Sequence, residues 1–216
     1  GLMCITASAT VLSGSGTKDD PYRITTPAEL SAFSTAVADG NSFSGKFIVV
    51  ENNINADNSF KPIGTEATPF KGTFNGNGKT INADIETDNY AGLFAFTNGA
   101  VISGVTVTGN FYSVVDYAGA IVAFANDTVI ENCSNNASVT ADNQYAGGIA
   151  AYIASGEIIS CTSSSPVSAA EGYMIATRQA LSKEEPIQTG RIQTLSKNVT
   201  ATVRKEPEDV VELAKK

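Results

Sequence analysis

The sequence predicts an all-β chain: a parallel β-solenoid of coils about 28 residues long, capped at its start by a short helix and closed by an atypical C-terminal segment. Three observations carry this. A Tyr-Ala-Gly motif recurs at Tyr90, Tyr117 and Tyr145, with a degenerate fourth start at Tyr173, so the spacings are 27, 28 and 28 residues. Inside each repeat the apolar residues alternate, as in Leu93 and Ala95, Ile121 and Ala123, Ile149 and Ala151; that period of two is the period of a strand. Turn residues (Asn98-Gly99, Asn126-Asp127, Ala154-Ser155-Gly156) then break the pattern, leaving no room for a helix within the repeat.

The opening segment, residues 1–44, carries the cap. Thr26-Pro27-Ala28-Glu29-Leu30 is a capping box with Pro at the first helical position. The helix it opens is expected to run to about Ala38, before Gly40, with Leu30, Phe33 and Val37 on its buried face. The end of a solenoid exposes core and strand edges, so a cover is expected there. Gly1-Leu2-Met3-Cys4 lacks the basic and long apolar stretches of a secretion signal, and the chain is expected to be part of a longer multidomain protein.

Residues 45–172 form the repeat region. Lys46–Val50 reads as a strand, and Phe70–Ile81 as strand, glycine-rich turn and strand. The Gly72–Lys79 stretch lacks the spacing of a phosphate-binding loop, and no helical pattern follows it; a tight β turn is expected. From Tyr90 onward a fixed offset of 28 superposes Leu93, Ile121 and Ile149; Phe96, Phe124 and Tyr152; Ile102, Ile130 and Ile158; Val105, Cys133 and Cys161; and Phe111, Val139 and Val167. Three short strands per coil are expected, the second near Ile102–Val107 and its equivalents and the third near Phe111 and its equivalents. The first repeat is one residue short between Gly92 and Leu93. A one-residue slip within a strand would turn every side chain over, so the extra residue of later repeats belongs in a turn or bulge.

Residues 173–216 differ. The first 170 residues hold 6 Lys and Arg against 15 Asp and Glu, whereas the last 46 hold 8 against 7. Val199, Ala201 and Val203 share a face, and Glu206-Pro207-Glu208-Asp209 is expected to open a helix ending at Lys215-Lys216. This segment is expected to cap the last coil or to act as a spacer.

The combination of Gly14–Tyr22, the Thr26–Leu30 helix start, Phe70–Ile81, Ile130-Glu131-Asn132-Cys133 and the repeated Tyr-Ala-Gly segments resembles the GLUG-motif proteins, over about residues 14–168. The resemblance implies a right-handed parallel β-helix of a bacterial surface or secreted protein, adhesin-like, in a family some of whose members accompany secreted immunoglobulin-A proteases. It brings no catalytic motif to transfer.

Composition excludes several functions. The chain has no His, hence no His-based triad and no His metal ligand. Its net charge of −8 argues against nucleic acid, and no apolar run is long enough to insert into a membrane. The three cysteines (Cys4, Cys133, Cys161) make no zinc spacing and no disulfide scaffold. Cys133 and Cys161, one coil apart in an inward column, are expected to be buried free thiols; their oxidation state is left open.

The turns before each Tyr-Ala-Gly carry Asp88, Asp116, Asp142 and Glu171. Stacked coils bring such oxygens close enough to suggest calcium, although a solvated acidic turn explains them too; no other cofactor is expected. Of the tyrosines, those at repeat columns are expected to pack, and Tyr112, off the columns, is the candidate exposed platform. Tyr112, Asp116 and Asp142 are therefore the candidate ligand-binding residues, with no catalytic residues assigned.

A β-helix lyase would use Lys or Arg as base and to hold a uronate, but none occurs between Lys79 and Arg178. The chain is thus expected not to be an enzyme. It is expected to be a non-catalytic module, extracellular or on the cell surface, for adhesion or display, with a host or microbial surface glycan or protein as partner. The alternative is a carbohydrate-active enzyme or a glycan-binding module on the same scaffold.

Overall fold

Apolar residues at a fixed offset become touching columns when coils stack. In a computed structural model, which describes residues 12–169 together with the short strands Tyr173–Met174 and Val199–Val203, they do so over about five coils. β1 (Tyr22–Ile24) leads into α1 (Pro27–Ala38), and β2 (Phe47–Val50) and β3 (Ile54–Asn55) begin the first coil. β4 (Thr73–Asn75), β5 (Thr80–Thr87), β6 (Tyr90–Ala91) and β7 (Phe94–Asn98) make the second. β8 (Val101–Ser103), β9 (Thr106–Ser113), β10 (Tyr117–Gly119) and β11 (Val122–Asn126) make the third. β12 (Thr128–Glu131), β13 (Ser134–Asn135), β14 (Ser138–Ala141), β15 (Tyr145–Gly147) and β16 (Ala150–Ile153) make the fourth. β17 (Gly156–Ser163), β18 (Val167–Ala169) and β19 (Tyr173–Met174) begin the fifth, and β20 (Val199–Val203) is the last described strand.

Every coil-to-coil pairing is parallel. Ile48, Phe74, Ile102, Ile130 and Ile158 align across β2, β4, β8, β12 and β17, and all five are buried. Ile85, Phe111, Val139 and Val167 align across β5, β9, β14 and β18. The loop between β3 and β4 supplies the first rung of a further face through bridges from Ile63 to Phe94 and from Phe70 to Thr97.

Two features shape the coil. The Tyr-Ala-Gly stretch carries the turn or bulge that the one-residue offset of the first repeat leads one to expect. It bends at its glycine and divides between two sheets, β6-β10-β15-β19 and β7-β11-β16. A Cβ at Gly119 would stand 2.1 Å from the Val122 carbonyl oxygen, and one at Gly92 would stand 2.6 Å from that of Gly119, so the close approach admits only glycine. The missing residue of the first repeat is absorbed at this bend: Ala91 pairs with Ala118, whereas Phe94 pairs with Val122. Second, the expected strand from Ile102 to Val107 is broken at Gly104 (φ 61°), and the residues one and two coils on, Asn132 (φ 53°) and Ser160 (φ 50°), take the same left-handed conformation. That corner lets β9 run unbroken for eight residues through the second and third expected strands.

The cap is built as the sequence predicts. Thr26 and Glu29 close a reciprocal capping box, and α1 buries Leu30, Phe33, Ser34 and Val37. The Phe33 ring meets Phe43, Phe70 and Phe74 at centroid distances of 4.9, 5.6 and 6.1 Å. At the far end β20 pairs antiparallel with β17, Val203 opposite Gly156 and Val199 opposite Cys161. Cys133 and Cys161 are buried free thiols, and the Cys133 N–H donates to Cys161 Sγ at 3.4 Å. The hydrogen bond between the two thiols, followed by burial, raises the Cys133 thiol well above its ordinary range. Cys4, Glu171 and the helix expected from Glu206 lie outside the described residues.

Candidate functional site

Along β9 alternate side chains point in and out. Val107, Phe111 and Ser113 are buried, while Thr108, Asn110 and Tyr112 stand on the outer face. The parallel register places Asp84, Asn110 and Ser138 in one outward row and Glu86, Tyr112 and Thr140 in the next. The first row is hydrogen bonded across coils: Asn110 Nδ2 donates to Asp84 Oδ1 at 2.8 Å and Ser138 Oγ donates to Asn110 Oδ1 at 2.5 Å. Beside it, Thr108 Oγ1 donates to Asn82 Oδ1 at 2.9 Å.

Of the three residues predicted from sequence, the structure joins two. The Tyr112 hydroxyl donates to Asp142 Oδ2 at 2.5 Å, and this bond, followed by desolvation and the charges of Asp142 and Glu86, raises the Tyr112 phenol above its usual range. Asp142 opens the turn after β14, one coil on, where its N–H donates to the Ser113 carbonyl at 3.0 Å. A side chain two residues beyond Tyr112's register partner Thr140 is thus returned to the ring, a contact the repeat spacing allows but does not announce. Asp116 lies apart from this pair. Its N–H donates to the buried Ser113 Oγ at 3.2 Å and its carbonyl accepts from the Tyr145 N–H at 2.9 Å. Its charge acts on Tyr90 and Tyr117, so it belongs to the far side of the turn. Between the two stand Val114 and Val115, the large hydrophobic side chains exposed among the described residues, at 37% and 38%.

Beyond the turn lies an arrangement that the sequence reading assigned only to packing. Tyr90, Tyr117 and Tyr145 stack in a ladder, with centroids 5.3 and 5.0 Å apart and ring planes within 5°. Phe96, Phe124 and Tyr152 form a second ladder at 4.8 Å spacing. The two meet edge to face, Tyr90 on Phe96 at 4.5 Å and Tyr117 on Phe124 at 5.8 Å. Ring faces are therefore occupied by other rings, which supports the packing expectation. Burial, then the neighbouring Tyr145, Tyr90, Asp116 and Tyr152, pushes the Tyr117 phenol up to about 12. Tyr112 is different: none of the aromatic pairs among the described residues involves it, its register neighbours are Glu86 and Thr140, and its hydroxyl is tied to Asp142.

Among the described residues no three Cys, Asp or Glu side chains come together as a metal ion would require, and no helix is long and apolar enough to cross a membrane.

No family model matches the chain. Over 116 residues, 50% of the chain, it is 31% identical to a protein of Evansella cellulosilytica named "Putative Gly-rich membrane protein", and the match spans 13% of that protein. A solved structure described as "a putative immunoglobulin A1 protease from Bacteroides ovatus" superposes with a TM-score of 0.55 and 20% identity, over 74% of this chain and 62% of that one. The fold is shared. This neighbour also corrects one expectation. The chain is expected from its missing His and its lack of Lys and Arg in the middle coils not to be an enzyme, yet a protein of the same fold carries a protease's name. The non-enzyme expectation is overturned on that ground, since neither the fold nor those absences sets a chain apart from enzymes.

Proposed function

We propose that this chain is a binding module of a bacterial surface or secreted protein, serving adhesion or display, and that its contact surface is the corner formed by Tyr112, Val114, Val115, Asp116 and Asp142. One observation carries the reading: the exposed apolar pair Val114–Val115 lies in the turn between a hydroxyl-anchored tyrosine and a row of acidic turns. Two adjoining exposed valines bordered by polar groups give that corner a small apolar area for a partner to cover. The solenoid supports this by holding the corner on stacked coils rather than on a free loop. Similarity to a protein named for a membrane is in keeping with a surface setting.

The test is adherence. Beads coated with the chain are expected to adhere to mammalian epithelial or bacterial cells more than beads coated with albumin. A Tyr112→Ala, Val115→Ser, Asp142→Ala variant of unchanged urea midpoint is expected to lose most of that difference, with and without calcium. Undiminished adherence by the variant would refute this assignment of the surface.

A further inference from the structure

We infer that the outer face around Tyr112 takes an uncharged glycan: a run of neutral hexose or N-acetylhexosamine units, with one sugar stacked on the Tyr112 ring. The inference rests on the binding-module reading above and names its ligand.

Three features of the face lead to it. The first is the ring. Tyr112 is half-buried and its hydroxyl is tied to Asp142, yet the aromatic pairs that occupy the faces of Tyr117 and Phe124 do not extend to it. A fixed aromatic face without a ring partner suits the C–H face of a pyranose, as such side chains combine apolar area with little conformational freedom to lose.

The second is the row beside it. Asp84, Asn110 and Ser138 are in register across three coils and hydrogen bonded in sequence. Their positions are fixed before any ligand arrives. Carboxylate, amide and hydroxyl oxygens with remaining lone pairs accept from sugar hydroxyls, and the second hydrogen of the Asn110 amide donates. Both sorts of group therefore lie one residue pair along the strand from the ring.

The third is charge. Glu86 stands beside Tyr112 in register and Asp142 holds its hydroxyl, with Asp84 in the adjoining row and Asp88 and Asp116 in neighbouring turns, while Lys and Arg are absent from residue 80 through residue 177. The ion pairs among the described residues, Arg23 with Asp20 and with Glu51, lie at the N-terminal end of the solenoid, away from the coil that carries Tyr112. A uronate, sulfate or phosphate polymer brought to this face would meet like charge with no cation to offset it. Polyhydroxylated neutral sugars incur no such repulsion.

The test is native affinity electrophoresis of the full chain in gels containing single soluble polymers. The neutral set is mixed-linkage β-glucan, galactomannan, yeast mannan and hydroxyethyl chitin; the anionic set is polygalacturonate, alginate and heparin. All gels are run with EDTA and again with calcium. Retardation by at least one neutral polymer is expected, unaffected by EDTA, with no retardation by the anionic set. Tyr112→Ala is expected to weaken the affinity at least tenfold at an unchanged urea midpoint. Tyr112→Phe, which keeps the ring, is expected to weaken it less than about threefold. Retention by anionic polymers alone, neutral binding that survives Tyr112→Ala, or no retardation in any gel would each overturn the inference. If cell adherence persisted in any of these cases, the binding-module reading would stand and the ligand would be of another class.

Discussion

Removing the Phe33 ring measures how much the helical cap contributes to the solenoid. The side chain is fully buried and meets three other phenylalanine rings. Truncating a buried Phe to Ala costs about 3–5 kcal/mol. Three edge or stacked ring pairs at about 0.5–1.5 kcal/mol each fall within that range rather than adding to it. Phe33→Ala is therefore expected to cost about 4 kcal/mol. With a urea slope of about 2 kcal/mol per M for a domain of this size, the midpoint should fall by about 2 M at unchanged slope. Phe33→Leu keeps most of the apolar volume and loses the ring pairs, so it should cost about 1–2 kcal/mol. Equilibrium urea unfolding followed by far-ultraviolet circular dichroism reads both. A shift below about 0.5 M for Phe33→Ala would mean that the first coils are stable without their cover.

Other consequences are equally open to measurement. Gly119→Ala, which brings a Cβ to 2.1 Å from the Val122 carbonyl oxygen, should cost more than about 2 kcal/mol in the same assay, and a neutral result would mean that the bend can open. Thr26→Ala removes the acceptor for the Glu29 N–H and should cost about 1 kcal/mol. The Tyr117 phenol rises from its ordinary 10.0 to about 12 in the folded chain. A raised value favours the neutral form in the fold, so its contribution to stability is present below pH 10 and is lost as pH rises through about 12. An alkaline ultraviolet titration should show a late phenol that Tyr117→Phe removes; uniform titration near pH 10 with the native dichroism intact would contradict the burial argument. In a Cys4→Ser background, the two buried thiols should react with Ellman's reagent only on unfolding, and immediate native reaction would place one of them at the surface.

The periodic parts of the structure were readable because a parallel solenoid repeats its environment at each turn. Ile102, Ile130 and Ile158 occupy one column for the same reason that they share an offset. The helix from Pro27 to Ala38 was readable because its capping box is local chemistry. The turn after the Tyr-Ala-Gly glycine was readable from the one-residue offset, but the division between two sheets was not, because it rests on the close approach of Gly119 to Val122 and to Ala151 on the next coil. The corner at Asn132 and Ser160 was also hard to read, because Ser160 gives no sign of a left-handed conformation and Asn132 a weaker one than Gly104. At the candidate site the residue types were visible and their grouping was not. Asp116 and Asp142 sit in equivalent turns, yet only Asp142 reaches Tyr112, since the coil carrying it stacks directly on the strand that carries the ring.

The pairing of every coil with the next along one direction has a mechanical meaning. Hydrogen bonds between coils lie along the stacking direction, so a pull along that direction loads them in series and opens one interface at a time. Where the aromatic ladders run, from Tyr90 to Tyr145 and from Phe96 to Tyr152, each interface holds two ring stacks besides its backbone bonds. The second, third and fourth coils should then be the last to part under load, and Tyr112 sits on the middle one of these. On the proposed reading, a pull transmitted through the solenoid would leave the Tyr112 corner intact while coils outside the ladders yield first.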